Sequence, residues 1–83
     1  MTTVWIDDES KLEIVIIRNA PEPPHVHVFG SQGQVTIILN ESDGSIHLER
    51  VDKMPDNRDV DKACQIVQKN QEHLLERWRD LHG

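Results

Sequence analysis

The hydrophobic pattern of this chain changes period once, and that change narrows the folds open to it. Up to about residue 51, apolar and polar residues tend to alternate, the repeat of two that sends successive side chains to opposite faces of a strand. In "KLEIVIIRN", Leu12, Ile14 and Ile16 share one face and Glu13, Val15 and Ile17 the other. "HVHVF", "QVTIILN" and "SIHLERV" repeat the pattern. From residue 59 onward, Val60, Cys64, Val67, Gln71, Leu74, Trp78 and Leu81 recur every three or four residues. That spacing predicts one long amphipathic helix over about residues 59–81, its stripe broken only by a polar glutamine.

The punctuation agrees. "NAPEPP" is a stiff, extended connector, since proline fixes φ and lacks an amide donor. "SQG" and "ESDG" read as turns, and Asp-Gly tolerates the positive φ of a tight hairpin. "IDDES" can turn the chain, which leaves residues 3–6 as a short extra strand or a frayed end. Asp56, Asn57 or Asp59 can cap the helix, and Arg77 and Arg79 suit its C-terminal pole. The expected fold is α+β: a two-layer antiparallel sheet of three to four strands (about 11–19, 25–29, 34–40 and 45–51) with one long C-terminal helix packed on one face. With 83 residues the chain is a single domain, 1–83, at a size where one core is only just sufficient.

In this arrangement the helix covers Leu12, Ile14, Ile16, Val26, Val28, Val35, Ile37, Leu39, Ile46 and Leu48. The outer face then carries Val15, Ile17, His25, His27, Phe29, Thr36, Ile38, His47 and Glu49. Apolar residues beside polar ones, with no second helix to cover them, point to a docking or self-association face. His25 and His27 lie roughly 6.5–7 Å apart along that face, and with His47 and Glu49 they compose a donor set suited to zinc or another divalent metal. A simple meander works against convergence, because the intervening strand would hold His47 about 9–10 Å away. The same histidines, with Glu49 as orienting group, also suit acid–base chemistry. Arg18 and Arg50 are the nearest cations, and neither is placed beside the histidines by the alternation. Cys64 and Trp78 fall on the inward stripe and read as a packed thiol and a core anchor. Trp5 belongs at a sheet edge or in solvent, and His73 and His82 on the wet side of the helix or at its frayed end.

Charge and cysteine content set further bounds. Fifteen acids against nine Lys and Arg give a formal charge of -6. An acidic surface repels phosphates, so direct nucleic-acid binding is disfavoured, while a basic partner or an acidic decoy role is compatible. A lone cysteine cannot form an internal disulfide and points to the cytoplasm. No secretory signal or membrane-spanning run is expected.

"PPHVHV", residues 23–28, resembles the Pro-Pro-His-x-His-Val signature of a small prokaryotic family known as domain of unknown function 4160. The resemblance extends over about residues 12–78, from "LEIVIIRN" to a helix reading "NQEHLLERW" with a tryptophan near its end. Signature residues are Pro23, Pro24, His25, His27 and Val28. This chain departs in placing Val26 between the histidines, where an aromatic is common, and in the extra acids of "KMPDNRDVDKA", where Met54, Pro55 and Arg58 match a Leu-Pro-x-Arg approach to the helix. The resemblance implies a protein partner, because genes of this family often stand beside those of another small family, numbered 2442, in a toxin–antitoxin-like pair.

Together these features give an expected function: a small cytoplasmic interaction component of such a two-gene module, using Pro23, Pro24, His25, His27, Val28, Phe29, Val15, Ile17 and Ile38. A metal- or His-dependent hydrolase or ribonuclease on the His25/His27 face is the alternative, and an acidic decoy of a nucleic-acid-binding target the third.

Overall fold

The computed structural model describes residues 2–18, 22–40, 42–53 and 57–82. The fold is α+β, with five strands followed by two helices. The strands are β1 Thr2–Ile6, β2 Glu13–Ile16, β3 His25–Phe29, β4 Gln34–Leu39 and β5 Ile46–Asp52. They form one antiparallel meander in chain order. The helices are α1 Asn57–Lys69 and α2 Gln71–His82.

Two expectations on element count are corrected. The sheet has five strands rather than three or four, because residues 2–6 pair with β2 and extend its edge. Asp7 makes that pairing possible by closing the intervening turn. Its Oδ2 accepts from Ser10 N at 2.9 Å and Ser10 Oγ at 2.5 Å, and its carbonyl accepts from Lys11 N at 2.7 Å. Lys11 takes a left-handed φ of 63° there. The single helix is divided at Asn70. Asn70 Nδ2 donates to Ile66 O at 2.9 Å, the carbonyl that already accepts from Asn70 N at 3.1 Å. An asparagine side chain competing for backbone groups in this way disfavours a regular helix interior.

Both helices pack on the face that alternation selected. Ile14, Ile16, Val26, Val28, Val35, Ile37 and Leu39 are closed in with Leu12, Ala63, Ile66, Val67, Leu74, Leu75 and Trp78. Burying each of the larger aliphatics contributes about 1.5–3 kcal/mol. Cys64 packs partly buried against this cluster, where burial, with the nearby Asp61, raises its pKa and favours the thiol over the thiolate. Leu48 does not join the core. It is 38% exposed, because β5 is an edge strand whose inward side is only partly covered. A bulge between Thr3 and Trp5 pairs Trp5 with Ile14, which sets the indole on the helix side in a cleft shared with Lys62 and Ile66.

Gln71, the polar break in the apolar stripe, is buried for a reason. Its Nε2 donates to Asn40 O at 3.2 Å and Ser45 O at 3.1 Å, tying α2 to the β4–β5 hairpin. Gln68 Nε2 adds a bond to Gly44 O at 3.0 Å. Within the hairpin, Asp43 Oδ1 accepts from Ser45 N and Oγ, and Gly44 supplies a φ of 76°. Met54, Pro55 and Asp56, the predicted approach and cap, lie outside the described residues, as do residues 19–21 of the connector, Glu41 and the side chain of His82.

Candidate functional site on the outer sheet face

The signature strand β3 alternates as the sequence predicts. Val26 and Val28 are fully buried under the helices, while His25, His27 and Phe29 are half-buried on the opposite face. Among the described residues no helix lies over that face. Val28 is therefore a core residue within the signature and no part of an accessible surface. Val15 is also withdrawn. It pairs with Thr3 on one side and His27 on the other and is only 1% exposed. The accessible positions are Ile17 and Pro23, exposed, and Pro24, His25, His27, Phe29 and Ile38, half-buried.

The prolines orient the first histidine. His25 Nδ1 lies 2.9 Å from Pro23 O. A carbonyl can only accept, so Nδ1 carries the hydrogen, and in the neutral ring Nε2 is left as the lone-pair nitrogen. His27 makes a different set of contacts. Its Nδ1 is 3.2 Å from Thr36 Oγ1, its ring meets His25 edge-on with centroids 5.2 Å apart, and its Nε2 is buried with no hydrogen-bond partner among the described residues. Burial lowers the His27 pKa, His25 lowers it further, and the Glu49 carboxylate acts in the opposite direction. His27 is thus held towards its neutral form.

The proposed metal set does not assemble. Among the described residues no three His, Cys, Asp or Glu side chains are grouped to hold an ion. The reason is the meander. His47 pairs with Ile38, and Ile38 with His25, so a full strand separates the imidazoles. That spacing is about 9–10 Å.

One residue that the alternation left apart is brought to the site by a bulge. In β5, Leu48 faces Ile37 and Arg50 faces Thr36, so Glu49 is an extra residue with no partner in β4. The shift turns Arg50 outward, where it lines a cavity of about 300 Å³ with His27, Gln34, Thr36 and Asp52. The sequence does hold a trace of this. Ile46 and Leu48 are two apart, but the next apolar residue, Val51, comes three later, the spacing of a strand with one residue too many. At the other end of the face, Pro23, Pro24, Ile38 and His47 line an open cleft of about 520 Å³.

A family model matches residues 12–79, most of the chain: "Domain of unknown function (DUF4160)". The chain belongs to this family. The match runs from β2 through the signature to α2, and leaves all of β1 outside. No curated protein and no solved structure matches the chain.

Proposed function

We propose that this member of the DUF4160 family is a protein-interaction module that takes a partner protein on the outer face of its sheet. The observation that carries the reading is a row of half-buried residues, His25, His27, Phe29, Thr36 and Ile38, on a sheet with no described helix above it. A mixed apolar and polar face of this kind gains from being covered. Exposed Ile17 and the Pro23/Pro24 cleft extend it. The partner we propose, which the resemblance implies, is the product of an adjacent gene in a toxin–antitoxin-like pair, acting in the cytoplasm. Calorimetric titration with that product tests the reading. Ile17→Glu and Ile38→Glu should each weaken binding at least tenfold while the melting transition persists. Undiminished binding by both folded variants would overturn it.

A specific observation favours a second reading, a His-dependent hydrolase acting on RNA. The bulge sets a guanidinium beside His27 and Thr36, the cation that acid–base chemistry on a phosphodiester needs. In that scheme His25 Nε2 is the base and Arg50 holds the phosphate. Cleavage of a mixed RNA substrate that survives unchanged in both His25→Ala and Arg50→Ala would remove this alternative.

A further inference from the structure

β5 is an edge strand, and the backbone groups on its open side can be assigned. Leu39 N donates to Pro24 O at 2.8 Å, so Leu39 turns its polar groups towards β3; Asn40 N donates to Ser45 O at 3.0 Å, so Asn40 turns towards β5. β4 is in unbroken register with β3, so the alternation continues and Ile37 and Val35 also bond towards β3. Their partners in β5 are Leu48 and Val51. Those two residues therefore direct N–H and C=O to the open edge. Both also show apolar side chains to solvent, 38% and 46% exposed.

The side chains follow a related symmetry. Leu48 and Val51 face the helix side with Ile37 and Val35. His47, Arg50 and Asp52 face outward with Ile38, Thr36 and Gln34. Glu49, the extra residue, follows inward Leu48, so the alternation up to the bulge puts it on the outer side as well. From residue 47 to 52 the order is out, in, out, out, in, out, the same read in either direction. A regular strand cannot be a facial palindrome about the midpoint of two adjacent residues; the bulge makes this one so.

We propose that β5 pairs antiparallel with β5 of a second copy of this chain, about a twofold axis midway between Glu49 and Arg50. In that register Leu48 meets Val51 of the second copy on the helix side, with their free backbone groups bonded to each other. On the outer side Glu49 meets Arg50 and His47 meets Asp52. Between residues 47 and 52 each cross-strand pair is apolar with apolar or base with acid, the combinations that stabilise neighbouring strands. Charges on an edge commonly block pairing. Here the twofold opposes each charge with its complement, so they select one register and one partner. β1, the other edge, offers no such code, since Thr2–Ile6 contains no charged residue. The result is an isologous ten-strand sheet whose outer faces both stay open, so the proposed partner face is not consumed.

Sedimentation velocity of the full chain, loaded from about 10 μM to about 1 mM, tests this. The wild type should shift from monomer to dimer across the range. Glu49→Arg and Arg50→Glu should each weaken the dimer about tenfold or more, and the double exchange should restore it to within about threefold. Val51→Pro removes an N–H that points away from β4, so it should abolish the dimer while the monomer still melts cooperatively. Amide exchange at Leu48 and Val51 should slow as the dimer forms. A wild type that is monomeric throughout, a double exchange as weak as the single ones, or a dimer unaffected by Val51→Pro would overturn the proposal. None of these results bears on binding at the outer face, which Ile17→Glu reads separately.

Discussion

Gln71 lets the sequence pattern and the structure be set against each other on a single substitution. By pattern alone it is a flaw in an apolar stripe between Val67 and Leu74, and a leucine there should stabilise the helix. In the fold it is 8% exposed and donates to two hairpin carbonyls, Asn40 O and Ser45 O. Each bond contributes about 0.5–1.5 kcal/mol net. The two methylenes of its stem contribute about 0.8 kcal/mol each on burial. Gln71→Ala keeps Cβ, so it loses both bonds and one methylene and regains a few tenths in helix propensity, for a net cost of about 2.5 kcal/mol. Gln71→Leu restores the apolar volume but not the bonds. It also presses methyl groups against carbonyls that keep one partner each, Gly44 N on Asn40 O and Asn40 N on Ser45 O. Its cost should lie near 1–2 kcal/mol. Urea unfolding gives both values, and in a domain of this size the alanine variant should melt roughly 10–20 °C lower. A leucine variant as stable as the wild type or more so would refute the reasoning and return Gln71 to a tolerated accident.

Gly33, just before β4, and Gly44, in the β4–β5 turn, should rank by mechanism. Gly44→Ala meets only Gln71 Oε1 at an ordinary 3.5 Å and so pays chiefly for its φ of 76°, about 1 kcal/mol; Gly33→Ala would set a methyl 2.3 Å from Asp52 O, so β5 must move and the cost should be at least about double. A reversed order in urea midpoints would contradict this. His27 makes stability depend on pH. Burial holds its pKa below the ordinary 6.5, so just below pH 6.5 the unfolded chain takes a proton that the folded chain refuses. That contribution is complete above 6.5 and is lost as the pH falls through the window. Between about pH 7.5 and about pH 5.5 the wild type should lose more stability than His27→Leu, and parallel profiles would show that His27 is not the group responsible.

Much of the fold was legible because its signals are local. Alternation placed Leu12, Ile14, Ile16, Val26, Val28, Val35, Ile37 and Leu39 on the buried face, and the change of period placed the helical region after the sheet. What escaped depends on register and on single side chains. The sequence leaves residues 3–6 open between a short extra strand and a frayed end, because the segment is short and alternates weakly; Asp7 closing a turn and the edge offered by β2 decide for the strand. The division at Asn70 is one amide competing for one carbonyl, which no period shows. The outer face was read in outline, with Val15 taken as accessible although Thr3 and His27 flank it in the adjoining strands. Strict alternation sets Arg50 apart from the histidines because it cannot represent an inserted residue; the bulge at Glu49 adds Arg50 to the outer side.

In β3 the positions that hold the sheet together and those that meet the outside are interleaved one by one. Val26 and Val28 answer to the core; His25, His27 and Phe29 answer to whatever the face contacts. The backbone between them is fixed by β2 and β4 on both flanks, so exchanging an outward residue leaves its inward neighbours in place. This division of labour makes the face an evolvable one. If that face takes a partner as proposed, a new specificity needs only two or three side chains changed on a frame that is already folded, with the core left intact.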